Sequence, residues 1–127
     1  MRARYTVALS VLAGLAAGAT AIQGLHAQAK PPTYVIFEID AQQPEEYFKE
    51  FVPLAEQAVA DAGGKFLAQT GPAAVIDGTP PRRVAVIAFE NLDKARASFR
   101  TEAYKVARKT GEKYATFRIY AVEGRPQ

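Results

Sequence analysis

The segment Arg83-Val-Ala-Val-Ile-Ala-Phe-Glu90 is a nearly unbroken apolar run of strand length, and it limits the fold more than any other stretch of the chain. A strand that is apolar on both faces fits best in the interior of a sheet, so this run predicts a central strand with a neighbour on each side. Three other segments have strand character. Tyr34-Val-Ile-Phe-Glu-Ile-Asp40 places Val35, Phe37 and Ile39 on one face and Tyr34, Ile36 and Glu38 on the other. Lys65 to Gln69 is short. Tyr114 to Val122 sets Ala115, Phe117, Ile119 and Ala121 against Thr116, Arg118, Tyr120 and Val122.

Helices are predicted between the strands. Pro44 suits a first helical position, and Glu45 and Glu46 suit the positive end of the helix dipole. Apolar residues at helical spacing follow up to Ala62, Pro53 should kink or divide the helix, and Gly63-Gly64 should end it. Thr70-Gly71-Pro72 reads as a break, Ala73 to Ile76 as a resumed extended course, and Asp77 to Pro81 as a turn. Asn91 should cap a helix through Phe99, with Leu92, Ala95 and Phe99 on one face. Thr101 should cap a second, with Tyr104 and Ala107 inward and Gly111 at its end. The order β-α-β-β-α-β is the ferredoxin-like, α+β plan. It predicts an antiparallel sheet with the last strand beside the first, the third between first and second, and helices on one face only. The other face would expose Tyr34, Ile36, Val84, Val86, Tyr120 and Val122, a patch that a second copy of the chain would cover, so a homodimer is expected.

The first 29 residues have a different character. Arg2 and Arg4 precede an uncharged stretch, Tyr5 to Ile22, and then Ala27-Gln28-Ala29, the layout of a bacterial secretory signal. Cleavage between Ala29 and Lys30 is expected, leaving a domain over 30–127 in the periplasm or secreted; the other reading is an uncleaved anchor. The full chain has 16 basic and 13 acidic residues; without the leader the count is 14 and 13, which gives no reason to expect nucleic acid, and no membrane association is expected after cleavage. The leader also holds the only His (His26) and the only Met, and the chain has no Cys or Trp. The mature domain therefore lacks the residues for His general-base catalysis, for Ser-His or Cys-His pairs, and for His- or Cys-bound metal or haem. No cofactor and no metal site is expected.

Ala62-Gly-Gly-Lys-Phe-Leu-Ala68, Pro81-Arg-Arg-Val-Ala-Val-Ile-Ala-Phe89 and Thr101-Glu-Ala-Tyr104 occur in an order and spacing that resembles the bacterial family known as domain of unknown function 1330, of the dimeric α/β-barrel superfamily. The resemblance spans almost all of residues 34–124. It implies two ferredoxin-like subunits packed sheet to sheet, with a cavity between sheets or between sheet and helices, and it implies no known reaction. Superfamily relatives include cofactor-free monooxygenases and haem-using enzymes, so activity does not follow from the fold. The chain departs from the family pattern in two charges: Gln69-Thr70-Gly71 stands for Arg-Gly-Gly, and Ala88-Phe89 for Glu-Phe. Losing both avoids leaving one of them unpaired.

The candidate ligand-binding residues are Tyr104, Arg83, Glu38, Arg118, Gln69 and Tyr34. Tyr104 is either a phenol at a cavity mouth or a half-buried helix tyrosine with its hydroxyl in water. Arg83 is either a carboxylate clamp or a solvated strand end. Glu38 and Arg118 are either a polar ligand site or a cross-strand salt bridge at a dimer interface. Seven basic residues between Arg96 and Arg118, against Glu102 and Glu112, are either an attraction for an acidic partner or a solvated helix face. Two functional readings result: a dimer that binds a small, mostly apolar molecule or acts as an interaction module, and a cofactor-independent enzyme, monooxygenase- or isomerase-like, acting on a small organic substrate.

Overall fold

A computed structural model describes residues 30–68 and 71–126. The expected leader and its cleavage point at Ala29 fall outside or at the edge of this range, and Gln69 falls outside it. The described residues of the compact unit Pro31–Arg125 form five strands and four α-helical segments. In chain order these are β1 (Thr33–Ala41), α1 (Pro44–Glu46), a π segment (Tyr47–Phe51), α2 (Val52–Asp61), β2 (Lys65–Phe66), β3 (Gly71–Pro72), β4 (Arg83–Phe89), α3 (Leu92–Ser98), α4 (Glu102–Gly111) and β5 (Ala115–Glu123). The sheet order is β2-β4-β1-β5, with β3 also on β4, and every pairing is antiparallel. The chain therefore has the ferredoxin-like, α+β arrangement.

The two-residue periodicity of the strands divides the sheet cleanly. Val35, Phe37, Ile39, Ala85, Ile87 and Phe89 are buried against the helices. Tyr34, Ile36, Glu38, Val84 and Val86 are only half-buried, and Tyr120 and Val122 are exposed, because no element of the domain covers that face.

The first helical region follows Pro53. Proline has no N–H to offer the Lys49 carbonyl, and the chain widens just before it: the Val52 N–H bonds the Tyr47 carbonyl, five residues back. The break turns Tyr47 and Phe51 into the core, where Phe51 stacks on Phe117 at 5.1 Å and Tyr47 lies 5.1 Å from Phe51. Gly63 ends α2 at φ +93°, a conformation that favours glycine.

One expectation fails in the edge strand. Of the described residues 65–68, Lys65–Phe66 pair with β4, with one further bond from the Leu67 N–H to the Val86 carbonyl. Pairing resumes at Gly71–Pro72, where a break was expected, and Ala73 to Ile76 is not a strand. Pro72 is tolerated because an edge strand needs no donor on its outer side. Val75 and Ile76 find no apolar surface and are exposed.

Gly111, the last residue of α4, lies against the aromatic cluster: a Cβ there would stand 2.6 Å from Phe51 Cδ2 and 2.9 Å from Phe117 Cζ. Gly111→Ala is expected to destabilise the domain by about 1–3 kcal/mol through overpacking, read as a lower urea midpoint at unchanged slope.

Candidate functional site

Both helices of the second half start on side-chain caps. Asn91 Oδ1 accepts the Lys94 N–H at 2.8 Å, and Thr101 Oγ1 accepts the Tyr104 N–H at 3.1 Å. With the starts fixed, helical spacing fixes the faces. Ala95, Tyr104 and Ala107 turn inward and are buried. Arg96 stands on α3 and Arg100 just beyond its end, and Lys105, Arg108 and Lys109 lie along α4.

These basic residues rim a groove of about 790 Å³ between α3, α4 and the end of β5. Its floor is apolar, with Val35, Phe99, Ile119 and Ala121, and none of the residues lining it is acidic. The volume is within the range of small-molecule sites, about 300–1,000 Å³. Two of the five cations are held by neighbours: Lys105 Nζ lies 3.3 Å from Glu102 Oε1, and Arg108 Nε 3.0 Å from Glu112 Oε1. Arg96, Arg100 and Lys109 have no ion-pair partner among the described residues.

Phe99 and Tyr104, packed edge to face at 4.9 Å, separate this groove from a cavity of about 30 Å³ between the sheet and α2. The cavity has room for a water molecule, and its polar lining is Tyr47, Glu56 and Tyr104. Tyr104 is 3% exposed, and its hydroxyl makes no hydrogen bond. Burial pushes its pKa above the usual phenol value; the neighbouring Arg108 guanidinium opposes the shift without reaching good bonding geometry. The phenol is thus a deeply buried group lacking a partner, not the half-buried, water-facing tyrosine of the bland reading. Burial also raises the Tyr47 phenol, against the opposing pull of Arg83.

The other predicted residues are divided by the sheet. Arg83 is on the helix side, and its guanidinium lies over the Phe48 ring at 4.5 Å, so it is a stacked, half-buried residue rather than a freely solvated strand end. Glu38 and Arg118 are on the open face and directly opposite in register, as expected, yet they form no ion pair. Glu38 instead accepts a hydrogen bond from the Tyr120 hydroxyl, which raises the Tyr120 pKa. Tyr34 packs beside Gly124, where a Cβ would lie 2.9 Å from its ring. Tyr104 and Arg83 therefore share a side of the sheet, while Glu38, Arg118 and Tyr34 do not join them. In the sequence this basic stretch reads either as an attraction for an acidic partner or as a solvated helix face, and little in its spacing signals that five of its cations line one groove. Among the described residues no group of three or more Asp, Glu, His or Cys comes together as a metal site.

Two outcomes follow from the buried phenols. Tyr104→Phe removes an unsatisfied hydroxyl, so the ligand-free protein is expected to be as stable as the parent or more so; a loss above about 1 kcal/mol in urea melts would reveal a partner such as an ordered water. Because unfolded tyrosines ionise near 10 and the folded Tyr47 and Tyr104 hold their protons higher, their contribution is complete below about pH 10 and is lost above it. Denaturant midpoints should thus fall in that alkaline range, and less steeply in Tyr47→Phe and Tyr104→Phe.

The fold has solved counterparts at low identity. The RPA0582 protein of unknown function from Rhodopseudomonas palustris is 12% identical, with a TM-score of 0.62 over 76% of this chain and 84% of that one. HapK from Hahella chejuensis is 16% identical, with a TM-score of 0.56 over 75% and 94%. SnoaB, a cofactor-independent oxygenase from Streptomyces nogalater, is 16% identical, with a TM-score of 0.53 over 78% and 97%. At these identities the likeness is one of fold alone. No curated protein matches the chain. Residues 32–125, which include every strand and helix described above, match the family described as Domain of unknown function (DUF1330), and the chain belongs to that family.

Proposed function

We propose that the protein is exported, forms a homodimer through its open sheet face, and binds a small, mostly apolar molecule in the groove between α3, α4 and β5. The observation that carries the reading is the groove itself, an apolar hollow of ligand size with a buried, unpartnered phenol in its wall. A bound molecule or ordered water would give that hydroxyl a partner, whose absence costs about 1–3 kcal/mol. Export rests on the leader pattern of residues 1–29. The homodimer rests on Tyr34, Ile36, Val84, Val86, Tyr120 and Val122, which together form an apolar face that nothing in the domain covers.

Catalysis by a cofactor-independent enzyme is the weaker reading. The fold likeness to an oxygenase favours it, but the groove lining offers only Arg, Lys and Tyr as titratable groups. None of these is a base near neutral pH, and burial makes Tyr104 harder, not easier, to deprotonate.

Native mass spectrometry of protein recovered from the periplasm tests the whole reading. The expected species is a dimer of chains starting at Lys30 and carrying extra non-covalent mass. A monomer would overturn the dimer, a chain retaining Met1 would overturn the cleaved leader, and a dimer that takes up no apolar small molecule would overturn the binding site. Ile36→Glu puts a charge on the open face between Val86 and Tyr120. Burying it unpaired is unfavourable by several kcal/mol, so this variant is expected to sediment as a folded monomer.

A further inference from the structure

Charge complementarity narrows the ligand further, on the premise that the groove binds a small molecule. We infer that its occupant is a single-chain anionic amphiphile: an apolar body on the floor and a carboxylate or comparable head at the basic rim. Three features support this. The floor of Val35, Phe99, Ile119 and Ala121 matches a hydrocarbon or aryl body. The rim contributes five cations and no acid, and Arg96, Arg100 and Lys109 have no ion-pair partner among the described residues. Arg96 and Arg100 both line the groove, and a guanidinium suits a carboxylate, which accepts its N–H groups in pairs. Tyr104 adds an independent observation: it lines the same groove, is nine-tenths buried or more, and its hydroxyl lacks a partner. A cationic ligand would meet the three cations without an ion-pair partner, Arg96, Arg100 and Lys109, and a neutral one would leave them unanswered.

The charges elsewhere on the two helices do not cancel the effect. Lys94 is held by Glu90, on the same exposed stretch, and Asp93 lines a neighbouring hollow together with Arg96 and Arg100. Three acids therefore stand near the rim: Glu102 and Glu112, each held by one rim cation, and Asp93, which shares its hollow with two arginines.

Isothermal titration of the mature protein with decanoate, decanol and decyltrimethylammonium tests the inference, with phosphatidylglycerol vesicles as a fourth probe. Decanoate is expected to bind about tenfold or more tightly than decanol, the scale of one hydrogen bond to a charged group. That preference should shrink with added salt, since the rim is solvent-exposed, and collapse in Arg96→Gln/Arg100→Gln. Both arginines are exposed, so the double variant keeps the fold, which its circular dichroism and urea midpoint check. Equal binding of decanol and decanoate, or tighter binding of the cationic probe, would overturn the anionic head while leaving the small-molecule site standing. Binding of none of the three would overturn both. Capture on phosphatidylglycerol vesicles without decanoate binding would replace the groove ligand with a lipid surface.

Discussion

The aromatic cluster of Phe37, Tyr47, Phe51 and Phe117 locks the helical layer to the sheet, and the rest of the domain is arranged around it. Phe37 comes from the central strand β1, Phe117 from the edge strand β5, and the other two from the π segment. Phe37 and Phe117 lie 5.2 Å apart, and Phe117 and Phe51 5.1 Å. Such pairs contribute about 0.5–1.5 kcal/mol each beyond simple burial. Their position depends on two residues that act by what they lack: Pro53, whose missing N–H accompanies the widened turn, and Gly111, whose missing Cβ lets α4 settle on Phe51.

The position of α4 in turn forms the groove. With Gly111 against Phe51 at one end and the Thr101 cap at the other, Ala107 and Tyr104 are pressed onto the sheet and the basic residues are left along the rim. Tyr104 is drawn under so far that its hydroxyl loses both water and any protein partner. A buried polar group without a partner is uncommon in folded proteins, and where one occurs beside a hollow it marks a place for a ligand or a water. The small cavity on one side of the ring and the large groove on the other offer it both.

The two faces of the sheet have separate uses. The helix-facing side holds the core, the groove and the Arg83–Phe48 stack. The open side holds Glu38, Tyr120 and Arg118 among aliphatic neighbours, with Glu38 taken by Tyr120 and Arg118 left opposite it. A polar group in such a surface is tolerated in a solvated monomer and gives register to a dimer, since a charge that must be matched permits fewer docking positions than an apolar patch alone.

The sequence by itself determined the strand and helix order, the two faces of each long strand and the caps at Asn91 and Thr101, because these depend on local periodicity and on side chains bonding to backbone three residues away. It also showed that residues 30–127 hold no His, Cys, Met or Trp. The edge of the sheet was not legible: that Lys65–Phe66 and Gly71–Pro72 both pair with β4 depends on what β4 presents, and Val75 and Ile76 resemble strand residues that the fold leaves without a surface. Nor was the site legible. Strand alternation already put Tyr34, Glu38 and Arg118 on the less apolar faces and helical spacing put Tyr104 inward, but that Arg83 shares the helix side with Tyr104 and stacks on Phe48 is seen only in the packed sheet. Arg96, Arg100, Lys105, Arg108 and Lys109 look dispersed along the chain, and only the packing of α3 and α4 over β5 brings them to one rim. Local spacing tells which way a side chain points from its own element; which residues face one another across a gap is set by long-range packing of the core.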